Sequence, residues 1–304
     1  MKHLLKMLDM SREEIIDILN LADQLKYELK HGIPHPLLKG KSLGMIFQKA
    51  STRTRVSFET GMYQLGGHAL FLSADDLQIG RGEPVEDTAR VLSRYIDGIM
   101  IRTFAQKEVE DLAEYGSIPI INGLTDLSHP CQVLADLMTI REHKGKLEGL
   151  KLCYIGDGTH MANSLIVGCL KVGMKVSIAC PETYKPDPEV LKFAEGYPGM
   201  FQCTPDILDA AKDADALYTD VWASMGQEGE FNERKLVFEG YQINDAVMAV
   251  AHEGAMVQHC LPAHRGEEIT EDIFEFHADE IFEEAENRLH AQKAVMFLLM
   301  GEKN

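Results

Sequence analysis

The 304-residue sequence contains no run of the ~18–20 apolar residues that a membrane span requires, and Met1–Met10 carries no signal-type apolar core. A cytoplasmic chain without a membrane partner is expected. Positive charge is scarce. With 30 Lys and Arg against 48 Asp and Glu, the formal net charge is −18. That balance argues against nucleic acid as the main partner, because phosphate backbones need clustered cations. The six cysteines, at 131, 153, 169, 180, 203 and 260, show no C-x-x-C spacing. Several lie in apolar runs such as Leu152-Cys153-Tyr154-Ile155, so they read as buried thiols in a reducing compartment rather than a disulfide framework. Their spacing suggests no metal cluster, and neither a metal nor an organic cofactor is expected. A complete G-x-G-x-x-G is also missing. Gly156-Asp157-Gly158 begins one, but Met161 stands where the third Gly would fall, which argues against a dinucleotide. No internal repeat or low-complexity tract is visible.

What is present is strand–helix alternation. Apolar runs mark strands at 43–47, 68–72, 98–102, 118–121, 151–155, 175–179, 215–219 and 255–259. Helical patterns fall near 53–65, 84–95, 106–115, 131–143, 161–172, 188–195 and 205–212. Ser11-Arg12-Glu13-Glu14 is a capping box ahead of Ile15, Ile18 and Leu19. This alternation predicts an α/β fold of two domains, each a parallel sheet flanked by helices. The polar stretch Glu142–Lys146 suggests a linker between domains at 1–143 and 144–282. A last helix, from about Glu283 to Met300 within 283–304, is expected to pack back on the first domain.

In open α/β sheets ligands gather at the carboxyl ends of strands, and polar clusters fall there. Ser51-Thr52-Arg53-Thr54-Arg55 follows the first strand and opens a helix with Phe58, Met62 and Leu65 at helical spacing. A helix N-terminus with hydroxyls and guanidiniums suits a phosphate. A capped helix with two solvated arginines is the plainer alternative. Arg102 ends another strand. His129-Pro130-Cys131-Gln132 opens a helix, pairing an imidazole and an amide at its mouth. Asp220 ends a strand and leads into a loop, Trp222 to Gln227, that holds the only tryptophan. His259-Cys260-Leu261-Pro262 ends the last strand. Proline should hold Leu261 extended. Strand alternation should turn His259 away from Cys260, which discounts a Cys–His dyad. Arg288 could equally be a helix-surface ion pair. The accumulation of such clusters predicts one site at the facing edges of the two sheets.

Together these motifs resemble those of the aspartate/ornithine carbamoyltransferases over essentially the whole chain. Ser51–Arg55 is similar to the family's carbamoyl phosphate motif, and His129-Pro130-x-Gln132 to a second motif shared by both branches. Asp220-x-x-x-Ser224-Met225-Gly226 and His259-Cys260-Leu261-Pro262 resemble the ornithine branch. The resemblance implies a carbamoyl phosphate domain, an amino-acid domain, and a homotrimer or an assembly of trimers with sites at subunit interfaces. It implies transfer of a carbamoyl group from carbamoyl phosphate to the side-chain amine of L-ornithine, giving L-citrulline and phosphate, in arginine metabolism. By carry-over Ser51, Thr52, Arg53, Thr54 and Arg102 would grip the phosphate, with Gln78 nearby. His129 and Gln132 would address the carbamoyl group, and Cys260, the Leu261 carbonyl and Arg288 would complete that site. His160, Asp220, Ser224 and Met225 would hold ornithine. Arg102, His129 and Cys260 would be catalytic. One position departs from the pattern. Thr159-His160 stands where the ornithine branch usually has two Asn. His160 therefore leaves open a sister enzyme acting on another amine such as putrescine, and a non-enzymatic sensor on the same fold is the alternative from another class.

Overall fold

The computed structural model describes residues 1–223, 229 and 231–302. Contacts divide the chain into two compact units, Met1–Met138 with Asn287–Asn304, and Thr139–Glu286. The first contains α1 (Arg12–Lys30), β1 (Ser42–Phe47), α2 (Thr52–Gln64), β2 (His68–Ser73), α3 (Val85–Leu92), β3 (Gly98–Arg102), α4 (Gln106–Tyr115), β4 (Ile120–Leu124) and the start of α5 (Pro130–Lys144). The second contains β5 (Lys151–Ile155), α6 (His160–Lys171), β6 (Lys175–Ala179), α7 (Pro188–Ala194), β7 (Phe201–Thr204), α8 (Ile207–Ala211), β8 (Ala216–Thr219), α9 (Phe231–Val237), α10 (Asp245–Val250), β9 (Met256–His259), α11 (Glu271–Phe276) and the start of α12 (Ala278–Met300). No helix among the described residues is long and apolar enough to cross a membrane.

Both sheets are parallel throughout, as the strand–helix alternation requires. The first runs β2-β1-β3-β4 and the second β7-β6-β5-β8-β9. In each, the direction of winding reverses once, between β1 and β3 and between β5 and β8. Such reversals open a crevice at the strands' carboxyl ends. Arg102 and the chain leading into α2 flank the first; Gly156 and Asp220 flank the second.

Local sequence explains most elements. Ser11 and Glu14 exchange the two bonds of a capping box at 3.1 and 3.0 Å, and α1 buries Ile15, Ile18, Leu19, Ala22 and Leu25. Each of the Ile and Leu side chains stabilises the fold by roughly 1.5–3 kcal/mol when removed from water. The differences are instructive. β7 is a half-buried edge strand reading Phe-Gln-Cys-Thr, so it lacks the apolar run that marks a central strand. α9, α10 and α11 are only six or seven residues long, too short for a helical period to show. β4 begins two residues later than the sequence suggests and continues through Asn122, whose buried amide donates to the Leu5 carbonyl at 2.8 Å. The stretch Glu142–Lys144 is helical, forming the end of α5. The last helix starts at Ala278, ahead of Glu283.

The part of α12 in the first unit carries an unusual buried cation. Lys293 is fully buried, with its amine 3.2 Å from His35 Nε2, and His35 in turn faces Glu28 at 3.2 Å. Burial pushes the Lys293 amine down to about 8, although Glu28 acts in the opposite sense. Below that value the folded chain carries a charge that it disfavours. Between about 8 and the ordinary lysine value the unfolded chain binds more protons, so stability rises with pH there. Lys293→Met should therefore raise the melting temperature by a few degrees at pH 7. Thermal melts at pH 7 and 9.5 should show that advantage shrinking at the higher pH.

Candidate active site

The helix opened by the Ser51–Arg55 motif is capped as its sequence suggests. The Ser51 hydroxyl accepts from the Thr54 N–H at 3.2 Å, and its carbonyl from Arg55 N–H at 3.2 Å. Thr52 is exposed, Arg53 half-buried and Thr54 buried. Arg55 pairs with Glu59 at 3.2 Å and stacks over Phe71, its guanidinium 3.7 Å from the ring centre. Just upstream, buried Lys49 pairs with Asp126 at 2.6 Å and lies over the Phe104 ring, a cation outside the motif and without a sequence signal.

Strand register sets Arg102 beside this helix start. Arg102 is the Cα partner of Phe47, the last residue of β1. On its other side the pairing skips Gly123, so Arg102 faces Leu124 across a bulge. Bulges re-aim a side chain locally. A Cβ on Gly123 would meet the Met100 sulfur at 2.6 Å and the Ile101 carbonyl at 3.1 Å, so only glycine fits.

Three of the residues singled out in the sequence are joined by hydrogen bonds. Arg288 Nη1 donates to Gln132 Oε1 at 2.6 Å, and Arg288 Nη2 to the Thr54 hydroxyl at 3.2 Å. Gln132 Nε2 donates to Asp136 at 2.8 Å, which fixes the amide's orientation. All four are buried, so Arg288 is no surface ion pair. His129 is buried immediately before α5, and its carbonyl accepts from Gln132 and Val133 N–H. Gln78 stands apart. It is exposed, ahead of the 3-10 turn Ile79–Arg81, and among the described residues no side-chain bond joins it to this group.

The second unit builds a separate cluster. Ile155, Thr219 and His259 are aligned across β5, β8 and β9, so Gly156, Asp220 and Cys260 follow side by side. His160 Nε2 lies 3.6 Å from Asp220, and the Cys260 thiol donates to the same carboxylate. Burial works to raise the Asp220 carboxyl, but the bond and charge from His160 and the Cys260 bond hold it below the ordinary value. Asp157 behaves oppositely. Burial drives it up, only partly offset by Arg234, which donates to it and to the Trp222 carbonyl. Ser224 and Met225 lie outside the described residues.

Two expectations need correction. Leu261 is not extended: its φ is 57°, in the left-handed region, and the Leu261–Pro262 bond is cis. Nor does His259 face away from Cys260. β9 ends at His259, strand alternation stops there, and Asp220, His259 and Cys260 bring polar side-chain atoms within 4.8 Å of one another. His259 is still no base for the thiol. Its Nδ1 accepts from Leu261 N–H at 2.9 Å, so the proton sits on Nε2, which faces Glu268 at 3.0 Å. Glu284 completes the support, accepting from Tyr218 O–H and His259 N–H at 3.2 and 2.9 Å. His259 and Glu268 are both sealed from solvent. Glu268→Leu should remove the imidazole's buried partner and lower stability by about 1–3 kcal/mol, read from urea unfolding.

Two family models match the chain, one to each half. The carbamoyl-P binding domain model of the aspartate/ornithine carbamoyltransferases matches residues 2–142, and the family's Asp/Orn binding domain model matches 148–299. Ornithine carbamoyltransferase of Thermococcus kodakarensis is 55% identical over 297 residues, covering 96% of this chain and 94% of its own. The Pyrococcus furiosus enzyme of that name is 52% identical in its solved structure, which superposes with a TM-score of 0.94 over 100% of this chain and 98% of its own. The anabolic enzyme from Campylobacter jejuni superposes with a TM-score of 0.92 at 44% identity, covering 98% of this chain and 99% of its own. The chain belongs to the aspartate/ornithine carbamoyltransferase family.

Proposed function

We propose that the chain transfers the carbamoyl group of carbamoyl phosphate to the side-chain amine of L-ornithine, yielding L-citrulline and phosphate in arginine metabolism. The observation that carries this reading is the buried Thr54–Arg288–Gln132 network beside a capped helix N-terminus within the first unit. The first unit would be the carbamoyl phosphate domain. Ser51, Thr52, Arg53, Thr54 and Arg102 would take the phosphate, with Arg288 adding a guanidinium held rigid from behind. Gln78 would act at such a site from outside the group that one chain assembles. That fits a homotrimer, or an assembly of trimers, in which subunits share sites. A cytoplasmic location follows from the same reading.

In the acyl transfer a C–N bond to the amine forms, the C–O bond to phosphate breaks, and the proton lost by the amine leaves with the phosphate. As the amine attacks, negative charge builds on the carbamoyl oxygen. Arg102, His129 and the Thr54 hydroxyl would donate there, and Gln132 would orient the carbamoyl amide. Losing one such donor typically costs ~3–4 kcal/mol of transition-state stabilisation. The attacking amine must be neutral. An alkyl ammonium titrates near ~10.4, so neutrality at pH 7 costs about 4–5 kcal/mol. Phosphate-binding arginines lower that cost by repelling a positive amine. The second unit would be the amino-acid domain. Asp220, His160, Ser224 and Met225 would hold ornithine, and the ionised Asp220 suits one of its ammonium groups. Cys260, hydrogen-bonded to Asp220, would orient the amine. The Leu261 carbonyl would complete the carbamoyl phosphate contacts.

Two measurements test this. Citrulline formation, with L-ornithine and putrescine offered in parallel, should show strong turnover with ornithine alone. Preference for putrescine would mean that His160 marks a rebuilt second-substrate pocket, and absence of turnover with either would favour a sensor. Arg53→Ala should raise the KM for carbamoyl phosphate by on the order of 100-fold, the loss of a charge-assisted phosphate contact of ~2–3 kcal/mol. Near-normal KM would remove the phosphate assignment.

A further inference from the structure

We infer that Gln292 is a positioning residue for carbamoyl phosphate, acting through Arg288; this rests on the proposed role of Arg288. Gln292 lies one helical turn beyond Arg288 on α12 and is fully buried. With its amide oriented to satisfy both ends, the oxygen accepts from Arg288 Nε at 3.0 Å and Nη2 at 2.9 Å. Its nitrogen donates to the Ser57 hydroxyl at 2.6 Å. Ser57 passes the bond on to the Thr54 carbonyl at 3.3 Å. Arg288 itself reaches the Thr54 hydroxyl. The polar chain thus closes on itself: Arg288, Gln292, Ser57, Thr54. It locks the guanidinium plane to the first turns of the helix whose N-terminus carries the Ser51–Arg55 motif.

The helix packing supports the same link. One turn past Ser57, a Cβ on Gly61 would meet Met296 Cε at 2.8 Å and Lys293 Cγ at 3.2 Å, so glycine permits the close approach of α2 and α12. The residue type also matters. Gln, Thr and Gln surround Arg288 with neutral acceptors at these bonds, which orient a guanidinium without cancelling its charge. A carboxylate at 292 would form an ion pair with Arg288 instead. It would also lose the donor to Ser57.

Gln292→Glu and Gln292→Met separate orientation from folding. Gln292→Glu keeps an acceptor for Arg288 and Gln292→Met keeps the buried volume, so both should fold, as thermal melts will show. Both variants should raise the KM for carbamoyl phosphate by about ten-fold, the scale of one displaced hydrogen-bonded contact. The KM for ornithine should change little, and Gln292→Met in an Arg288→Met background should add nothing further. Folded variants with the wild-type KM for carbamoyl phosphate would overturn the inference. So would activity lost only in proportion to folded protein. A wild-type KM in Arg288→Met alone would instead overturn the role of Arg288, and the inference with it.

Discussion

Parallel strand pairing is the constraint on which everything else in this chain depends. Parallel strands point the same way, so their carboxyl ends form one edge, and every loop leaving that edge starts in line with its neighbours. Register then decides which residues are adjacent. Phe47 pairs with Arg102, which brings the entry to α2 next to an arginine from a different strand. Ile155, Thr219 and His259 pair in a row, which lines up Asp220 with Cys260 although forty residues separate them. No local preference of those segments could do this.

On that edge the first unit places charge in a dry setting. Buried guanidiniums and amides are stabilising only when their donors and acceptors are matched, since an unmatched polar group costs its full desolvation. Here the matching is done by neutral groups, the Thr54 hydroxyl and the amides of Gln132 and Gln292. Those bonds fix the plane of the Arg288 guanidinium. The second unit works the other way. Asp157 is met by Arg234 and Asp220 by His160 and Cys260, so two buried carboxyls just past neighbouring strand ends experience opposite pulls on their protons.

Much of the fold was legible because its signals are local. Capping boxes, apolar strand runs and strand–helix alternation marked α1, the central strands and the parallel sheets. What escaped was short or half-exposed: β7 at a sheet edge and the brief helices α9 to α11. Candidate site residues were legible where several chemistry-bearing side chains crowd one turn, as in Ser51–Arg55. His259 was misjudged because alternation was carried one residue past the end of its strand, and Leu261 because proline's usual influence on its neighbour was overridden. Gln292, Asp136, Arg234 and Glu268 gave no signal at all. Each is an ordinary helix or loop residue until its distant partner is known.

The sequence by itself determined the α/β class and the family, since both are written in periodicity and in short contiguous motifs. It also determined the chemical inventory: hydroxyls, guanidiniums and an imidazole placed just past strand ends. Only the tertiary structure decided which of these groups share bonds. Arg55 shares one motif with Arg53, yet the fold pairs Arg55 with Glu59 and stacks it on Phe71. Arg288 could have been a surface charge, yet burial ties it to residues more than 150 positions away. The physical reason is that burial and hydrogen-bond partnership are properties of chain segments brought together by strand register and helix packing, which no single segment encodes.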